Sequence, residues 1–319
     1  MKIIQNSENH IKVEIVKVSD RPFYSMEFHG DYCFDKYLSE GACDLAEFCA
    51  FIDKTLIGNA KKNVSPINFG CAVFTARNPG GDVIFARNLD CDCAIPMMLR
   101  LSENGNYKSL AMLNMAELDW DETTYDSLET DAKLTLAAPY SPADGINEHG
   151  LAVAIMTDAA AVYPSHNGIT LFDETLPRLI LDRAKTAQEA IQYAQKYNLF
   201  YSVSPLHYMV ADAAGNSAVI EFVDGKMAAT LKHKDYQIAT NFTLYNNPKH
   251  EGFGKERYQN IEKALEKCNG IISESNALKL LKQNVIPGDE QWSAVYNLTK
   301  RSVRITFSKD YQKVHTYQL

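Results

Sequence analysis

The sequence predicts an α+β fold in which helices are layered on antiparallel sheets. Two observations carry this. Short runs rich in Val, Ile, Phe and Tyr recur along the whole chain, and segments with apolar residues every three or four positions interrupt them in pairs. A chain of 319 residues, 46% hydrophobic and 23% charged, also has enough apolar material for one large core or two small ones.

In chain order, KVEIV and FYSMEF read as short strands. Residues 37–58 read as one helix, with Leu38, Ala42, Leu45, Phe48, Cys49, Ile52 and Leu56 at helical spacing. The segment KKNVSPINFG, with its Lys pair, Ser-Pro and closing Gly70, reads as an accessible linker. From Cys71 the pattern changes: CAVFTAR, the turn-forming NPGGD and VIFARNLD make a β-hairpin. Further strands are expected at MMLRLS, LAVAIMTD, HYMVAD, SAVIEFV, QIATNF, WSAVYNL and SVRITFS. Helices are expected at DETLPRLILDRAKTAQEAIQYAQKY, GKERYQNIEKALEKC and SESNALKLLK, the last capped by Ser273 or Ser275.

The net charge of -8 argues against a general nucleic-acid or anionic-membrane surface, which needs clustered Lys and Arg. The amino terminus is broken by polar residues at nearly every step, so it lacks the apolar run of a signal peptide, and a cytoplasmic location is expected. Seven cysteines, at 33, 43, 49, 71, 91, 93 and 268, suit individual thiols in a reducing compartment better than a disulfide framework. Cys91-Asp92-Cys93 lacks the second ligand pair that zinc requires, and Gly80-Gly81 lacks the lysine and helix of a phosphate loop. No metal or cofactor is therefore expected. Met97, Met98, Leu99 and Leu101 suit either an apolar acyl pocket or core packing.

Cys71 is the residue on which a chemical reading turns. The preceding Gly70 has no Cβ and can take backbone conformations closed to other residues, which suits a strained bond attacked by the next side chain. Attack there releases an α-amine on Cys71. With an ordinary pKa of about 7.7 to 8.0, such an amine serves as a general base beside its own thiol. Arg87, across the hairpin, is placed to return near Cys71 and favour its thiolate. Asp90 lies three residues further on, so both side chains share one face only if the strand ends or bulges around residues 88–90.

GCAVFTARNPGGDVIFARNLD resembles the opening of the mature chain in the choloylglycine hydrolase and penicillin V acylase family, and is similar to isopenicillin N acyltransferases and acid ceramidase-like amidases. The likeness continues, in the family's order, through ADGINEHGLAVA, LHYMVADAAGNSAVIEF, ATNF and QWSAVYNLTKRSVRITF. It implies an αββα four-layer sandwich of antiparallel sheets, the N-terminal-nucleophile hydrolase fold. It implies cleavage at Gly70/Cys71 and hydrolysis of linear amide bonds. By the same resemblance Cys71 is the nucleophile, Arg87 its cationic neighbour and Asp90 the carboxylate that holds the new α-amine. Asn241 is an oxyanion-hole donor and Arg257 a supporting arginine. Thr157 stands where bile-salt hydrolases carry a second asparagine, and its hydroxyl is a shorter, differently angled donor.

Residues 1–70 are then a pro-segment or small subunit that stays associated after cleavage, and residues 71–319 the catalytic domain. The implied partner is a small-molecule N-acyl amide, with no nucleic acid or membrane; association into a homo-oligomer stays open. Three readings of function follow: an amide hydrolase, an acyltransferase using the same acyl-enzyme, and a dormant binding homologue.

Overall fold

The computed structural model describes residues 1–6, 10–19, 23–57, 69–91, 94–102, 106–118, 120, 132–166, 168–288 and 290–319. The leading segment holds β1 (Lys2–Asn6), β2 (Ile11–Ser19), β3 (Phe23–His29), α1 (Phe34–Glu40) and α2 (Leu45–Ile52). The hairpin is β4 (Phe69–Arg77) and β5 (Val83–Cys91), followed by β6 (Pro96–Leu101), β7 (Ser109–Asn114), β8 (Asp144–Asn147) and β9 (Ala152–Thr157). Next come β10 (Thr170–Phe172), α3 (Leu176–Arg183), α4 (Ala187–Ala194), β11 (Asn198–Phe200), β12 (Leu206–Ala211), β13 (Ser217–Val223), β14 (Lys226–Leu231) and β15 (Gln237–Ala239). The chain closes with α5 (Lys255–Lys267), α6 (Glu274–Lys282), β16 (Glu290–Asn297), β17 (Ser302–Phe307) and β18 (His315–Gln318).

Ten strands form one sheet in the order β1-β2-β3-β6-β7-β8-β9-β12-β13-β14, and six form a second in the order β15-β4-β5-β16-β17-β18. Their facing sides share one core, in which Cys71, Phe85 and Trp292 of the smaller sheet lie against the face of the larger that carries Met98, Ile146 and Ala154. Helices α3 and α4 cover the outside of the larger sheet, and α5 and α6 the outside of the smaller. This is the αββα sandwich. Two pairings depart from the antiparallel expectation: β3 runs parallel to β6, with Met26 opposite Leu99, and β10 pairs parallel with β11 in a small sheet of their own. Met97, Met98 and Leu99 are fully buried in the larger sheet.

Two expected helices are each split by local capping chemistry. In residues 37–58, Gly41 takes φ +70 and ends α1, and Asp44 then accepts from the Glu47 N–H to start α2. In the segment from Asp173, α3 stops at Ala184, which is extended, and Thr186 caps α4 by accepting from the Glu189 N–H. Glu189 in turn accepts from the Lys185 N–H, tying the entering chain to the first turn. Ser273, rather than Ser275, caps α6. The linker residues 61–68 lie outside the described residues.

The leading segment is woven into the body of the fold. Tyr37, Phe48 and Phe51 pack around Tyr140, and Phe48 also meets Phe172. Polar tips are satisfied across the same boundary: the Tyr37 hydroxyl accepts from Phe172 N at 2.8 Å, and Tyr32 donates to Asp182 Oδ2 at 2.5 Å. Phe48 is fully buried on this seam. Phe48→Ala is expected to cost about 3 to 5 kcal/mol, the range for emptying a buried phenylalanine site. Urea unfolding followed by tyrosine fluorescence measures it, and a loss below about 1 kcal/mol would show that the seam carries little of the stability.

Candidate active site

The hairpin sets the geometry. Asn78 Oδ1 accepts from the N–H groups of Gly80 and Asp82, and Gly81 takes φ +89, a left-handed value that a Cβ would oppose. The resulting register puts Cys71 opposite Leu89 and Val73 opposite Arg87. Because side chains alternate along a strand, Cys71 and Arg87 both face the interior between the sheets.

There the Arg87 guanidinium is wholly buried. Its Nε lies 3.0 Å from Asp144 Oδ2, and its Nη2 donates to the carbonyls of Ala143 and Ile155 at 3.1 and 3.2 Å. Its Nη1 is 3.9 Å from the Cys71 sulfur, and its flat face lies 5.7 Å from the Trp292 ring. Asp144 also receives the Trp292 indole N–H at 2.9 Å and the Tyr296 hydroxyl. Two opposing influences act on the Cys71 thiol. Burial pushes its pKa up and is the larger, while Arg87 and then Arg257 pull it down. In the continuous chain the thiol is therefore held above its ordinary range.

The expected bulge at residues 88–90 is absent. Strand β5 stays in register with β4 and β16 through Cys91, so Asp90 points to the face opposite Arg87. Asp90 lies opposite Gly70 on β4, with its side chain on the helix-layer face of the sheet. Arg257 approaches from the helix layer on that same side, with Nη1 4.0 Å from Asp90 Oδ2.

Asn241 ties the remaining groups together. It lies two residues beyond β15, whose pairing with β4 ends at Ala239 opposite Val73, so the same register carries it to Cys71. Its Oδ1 accepts from Cys71 N at 2.7 Å and from Arg257 Nη2 at 2.9 Å. Its Nδ2 donates to the Thr157 hydroxyl at 2.8 Å and the Thr157 carbonyl at 3.1 Å. Arg257 Nη1 also donates to the Cys71 carbonyl at 2.8 Å. All seven residues singled out in the sequence thus fall around one peptide unit.

The requirement at Gly70 differs from the one expected. Its φ is not in the left-handed region; a Cβ there would come within 2.0 Å of Ile286 Cδ1. Close packing, rather than unusual backbone freedom, favours glycine. Asp144, Trp292 and Tyr296 were not singled out by sequence reasoning, although ADGIN and QWSAVYN both carry the resemblance. Asp92 and Cys93 lie outside the described residues. Among the described residues no group of three or more His, Cys, Asp or Glu is placed to hold a metal, and no helix is long and apolar enough to cross a membrane.

A four-layer sandwich with a buried cysteine on the central hairpin, its thiol beside an arginine and its backbone held by an asparagine, is an N-terminal-nucleophile hydrolase fold. Residues 76–307 match the acyl-coenzyme A:6-aminopenicillanic acid acyl-transferases, and the chain belongs to that family. It is 30% identical over 120 residues to penicillin V acylase of Pectobacterium atrosepticum, covering 33% of this chain and 31% of that one. It is 25% identical over 174 residues to an uncharacterised protein of Paramecium bursaria Chlorella virus 1, covering 51% and 57%. The matched stretches therefore span less than two thirds of either curated relative. Among solved structures, a mutant conjugated bile acid hydrolase from Clostridium perfringens superposes with a TM-score of 0.57 at 14% identity, covering 78% of this chain and 92% of that one. Penicillin V acylase from Agrobacterium tumefaciens gives 0.56 at 16% identity, covering 78% and 86%.

The buried ion pair generates a test. Asp144→Ala leaves the Arg87 charge without its counter-ion in a dry interior and is expected to cost about 3 to 5 kcal/mol. Asp144→Asn, which keeps an acceptor for Tyr296, is expected to cost less. Thermal denaturation of the two variants reads the order, and equal losses would mean that shape rather than charge holds Arg87.

Proposed function

We propose that this protein is a self-processing cysteine amidase that hydrolyses a linear, non-peptide amide bond of a small N-acylated substrate. The observation that carries the reading is the treatment of residue 71: its thiol is turned toward Arg87, while its N–H and carbonyl are held by Asn241 and Arg257. A buried structural cysteine needs no arginine beside its thiol, and in an ordinary ladder its backbone groups would be paired by strand neighbours rather than by side chains.

In this reading Cys71 Sγ attacks the Gly70 carbonyl, the C–N bond breaks, and water clears the resulting thioester. The products are a Gly70 carboxylate and a free α-amine on Cys71. That amine, held by Asn241 and facing Asp90, then takes the thiol proton as the sulfur attacks the acyl carbonyl of substrate, and passes it to the departing amine. Asn241 Nδ2, held beside the Thr157 hydroxyl, donates to the developing oxyanion. Water releases the carboxylic acid and restores the thiol. Residues 1–70 stay on as a small subunit, a reading supported by the shared sheet and the Tyr37–Phe48–Tyr140 cluster. The threonine in place of a second asparagine favours a small N-acyl amine or amino acid over a conjugated bile acid.

The family to which the chain belongs is named for acyl transfer, and this favours one second reading: delivery of the acyl group from the Cys71 thioester to an amine instead of water. The two share every residue up to the acyl-enzyme. An added primary amine separates them, since a transferase yields the new amide at the expense of free acid.

Intact mass under denaturing conditions is the direct test. Wild type is expected to give two fragments divided at Gly70/Cys71, and Cys71→Ala a single species without amidase activity; hydrolysis undiminished in the alanine variant would sink the proposal. Asn241→Ala is expected to lower kcat for penicillin V or an N-acyl amino acid by roughly 10²- to 10³-fold, the loss seen when one oxyanion donor is removed.

A further inference from the structure

We propose that His207 is a positioning residue for Asn241, acting through the Thr240 carbonyl as the centre of a buried clamp on residues 240–245. The inference rests on the amidase reading for its catalytic consequence and on geometry alone for its structural one. Asn241 sits past the end of β15, where the ladder to β4 has stopped, so its side chain is only as well placed as the turn that bears it. A donor aimed at an oxyanion must be fixed before the reaction, because misplacement by an ångström is costly.

Three ionisable side chains of the larger sheet hold that turn. His207 on β12 is fully buried, and its Nε2 lies 2.8 Å from the Thr240 carbonyl oxygen. A carbonyl only accepts, so Nε2 carries the hydrogen. Glu221 on β13 accepts from the N–H groups of Leu244 and Tyr245. Asp158, directly after β9, accepts from the Thr243 hydroxyl at 2.5 Å. The carbonyl before Asn241 and the donors after it are thus gripped from one direction. The grip also reaches the other side of the asparagine, for Asp158 adjoins Thr157, whose two oxygens receive Asn241 Nδ2.

His207 is the hub of the three. Its second ring nitrogen, Nδ1, is 3.9 Å from both Asp158 Oδ2 and Glu221 Oε1. The ring thus sits between the two carboxylates, bonded to the backbone they jointly restrain. Burying three such groups is costly unless each is hydrogen-bonded, and here the partners they take are the backbone and hydroxyl groups of the turn that bears Asn241. The requirement here is the aim of one amide: Oδ1 toward Cys71 N and Arg257, Nδ2 toward Thr157.

The test uses the geometry of amide side chains. Gln at 207 places its amide nitrogen near the position of imidazole Nε2, whereas Asn reaches only the position of Nδ1. His207→Gln and His207→Asn are made in the full chain, selectively labelled with ¹⁵N-asparagine, and the Asn241 side-chain amide signal is identified by its loss in Asn241→Asp. The signal is expected to keep its position and exchange protection in His207→Gln and to shift and lose protection in His207→Asn, with both variants folded by circular dichroism. With penicillin V or an N-acyl amino acid, kcat is expected to fall roughly ten- to hundredfold in His207→Asn with KM within about twofold, and to recover in His207→Gln. An unmoved Asn241 signal in His207→Asn, or equal losses in the two variants, would overturn the assignment. The asparagine signal does not depend on turnover, so an inactive wild type overturns the amidase reading alone.

Discussion

A guanidinium sealed between two sheets is the constraint to which the rest of this molecule answers. Removed from water, the Arg87 charge needs a counter-ion and acceptors for its N–H groups, and it finds them in Asp144 and the carbonyls of Ala143 and Ile155. Those partners belong to the larger sheet, whereas Arg87, Trp292 and Tyr296 belong to the smaller. The pair therefore fixes how the two layers sit on each other, in both spacing and register. Cys71 inherits its position from that fit, being one strand away from Arg87 on the same face.

The second organising element is Asn241, which joins the two sheets on the other side of the same residue. Through its oxygen it holds Cys71 N and Arg257; through its nitrogen it holds Thr157. A single side-chain amide thus spans a strand of each sheet and the helix layer. Thiol and backbone of residue 71 are governed from different directions, the first by the ion pair inside the sandwich and the second by groups at the strand edge. Strand β5 itself stays undistorted, with Arg87 and Asp90 on its opposite faces.

Much of this was legible in the chain, and what was not has physical causes. The hairpin was readable because NPGGD supplies both the side-chain acceptor and the left-handed glycine that its turn requires. The split helices were misread as continuous because apolar periodicity runs across the breaks at Gly41–Asp44 and Ala184–Thr186, while capping by Asp44 and Thr186 overrides it locally. Strand β7 was passed over, and its six residues are buried on both faces, so no alternation marks it. Asp144 and Tyr296 escaped notice for a related reason: their importance lies in a contact between distant segments, which residue spacing does not encode. Asn241 and Arg257 were found by resemblance, since on spacing alone a turn asparagine and a helix-face arginine were the plainer interpretations.

The parallel pairing of β3 with β6 sets a timetable. These strands flank the Gly70–Cys71 bond in the chain, and the hairpin between them belongs to the other sheet. While the bond is intact, β3 finds β6 as a tethered neighbour at an effective concentration of roughly millimolar. Once the bond is cut, the same meeting becomes an encounter between two separate polypeptides, and β6 is left meanwhile as a bare sheet edge open to wrong partners. In the proposed self-processing, cleavage would have to follow folding, because Cys71 meets Arg87, Asn241 and Arg257 only once the sandwich is assembled.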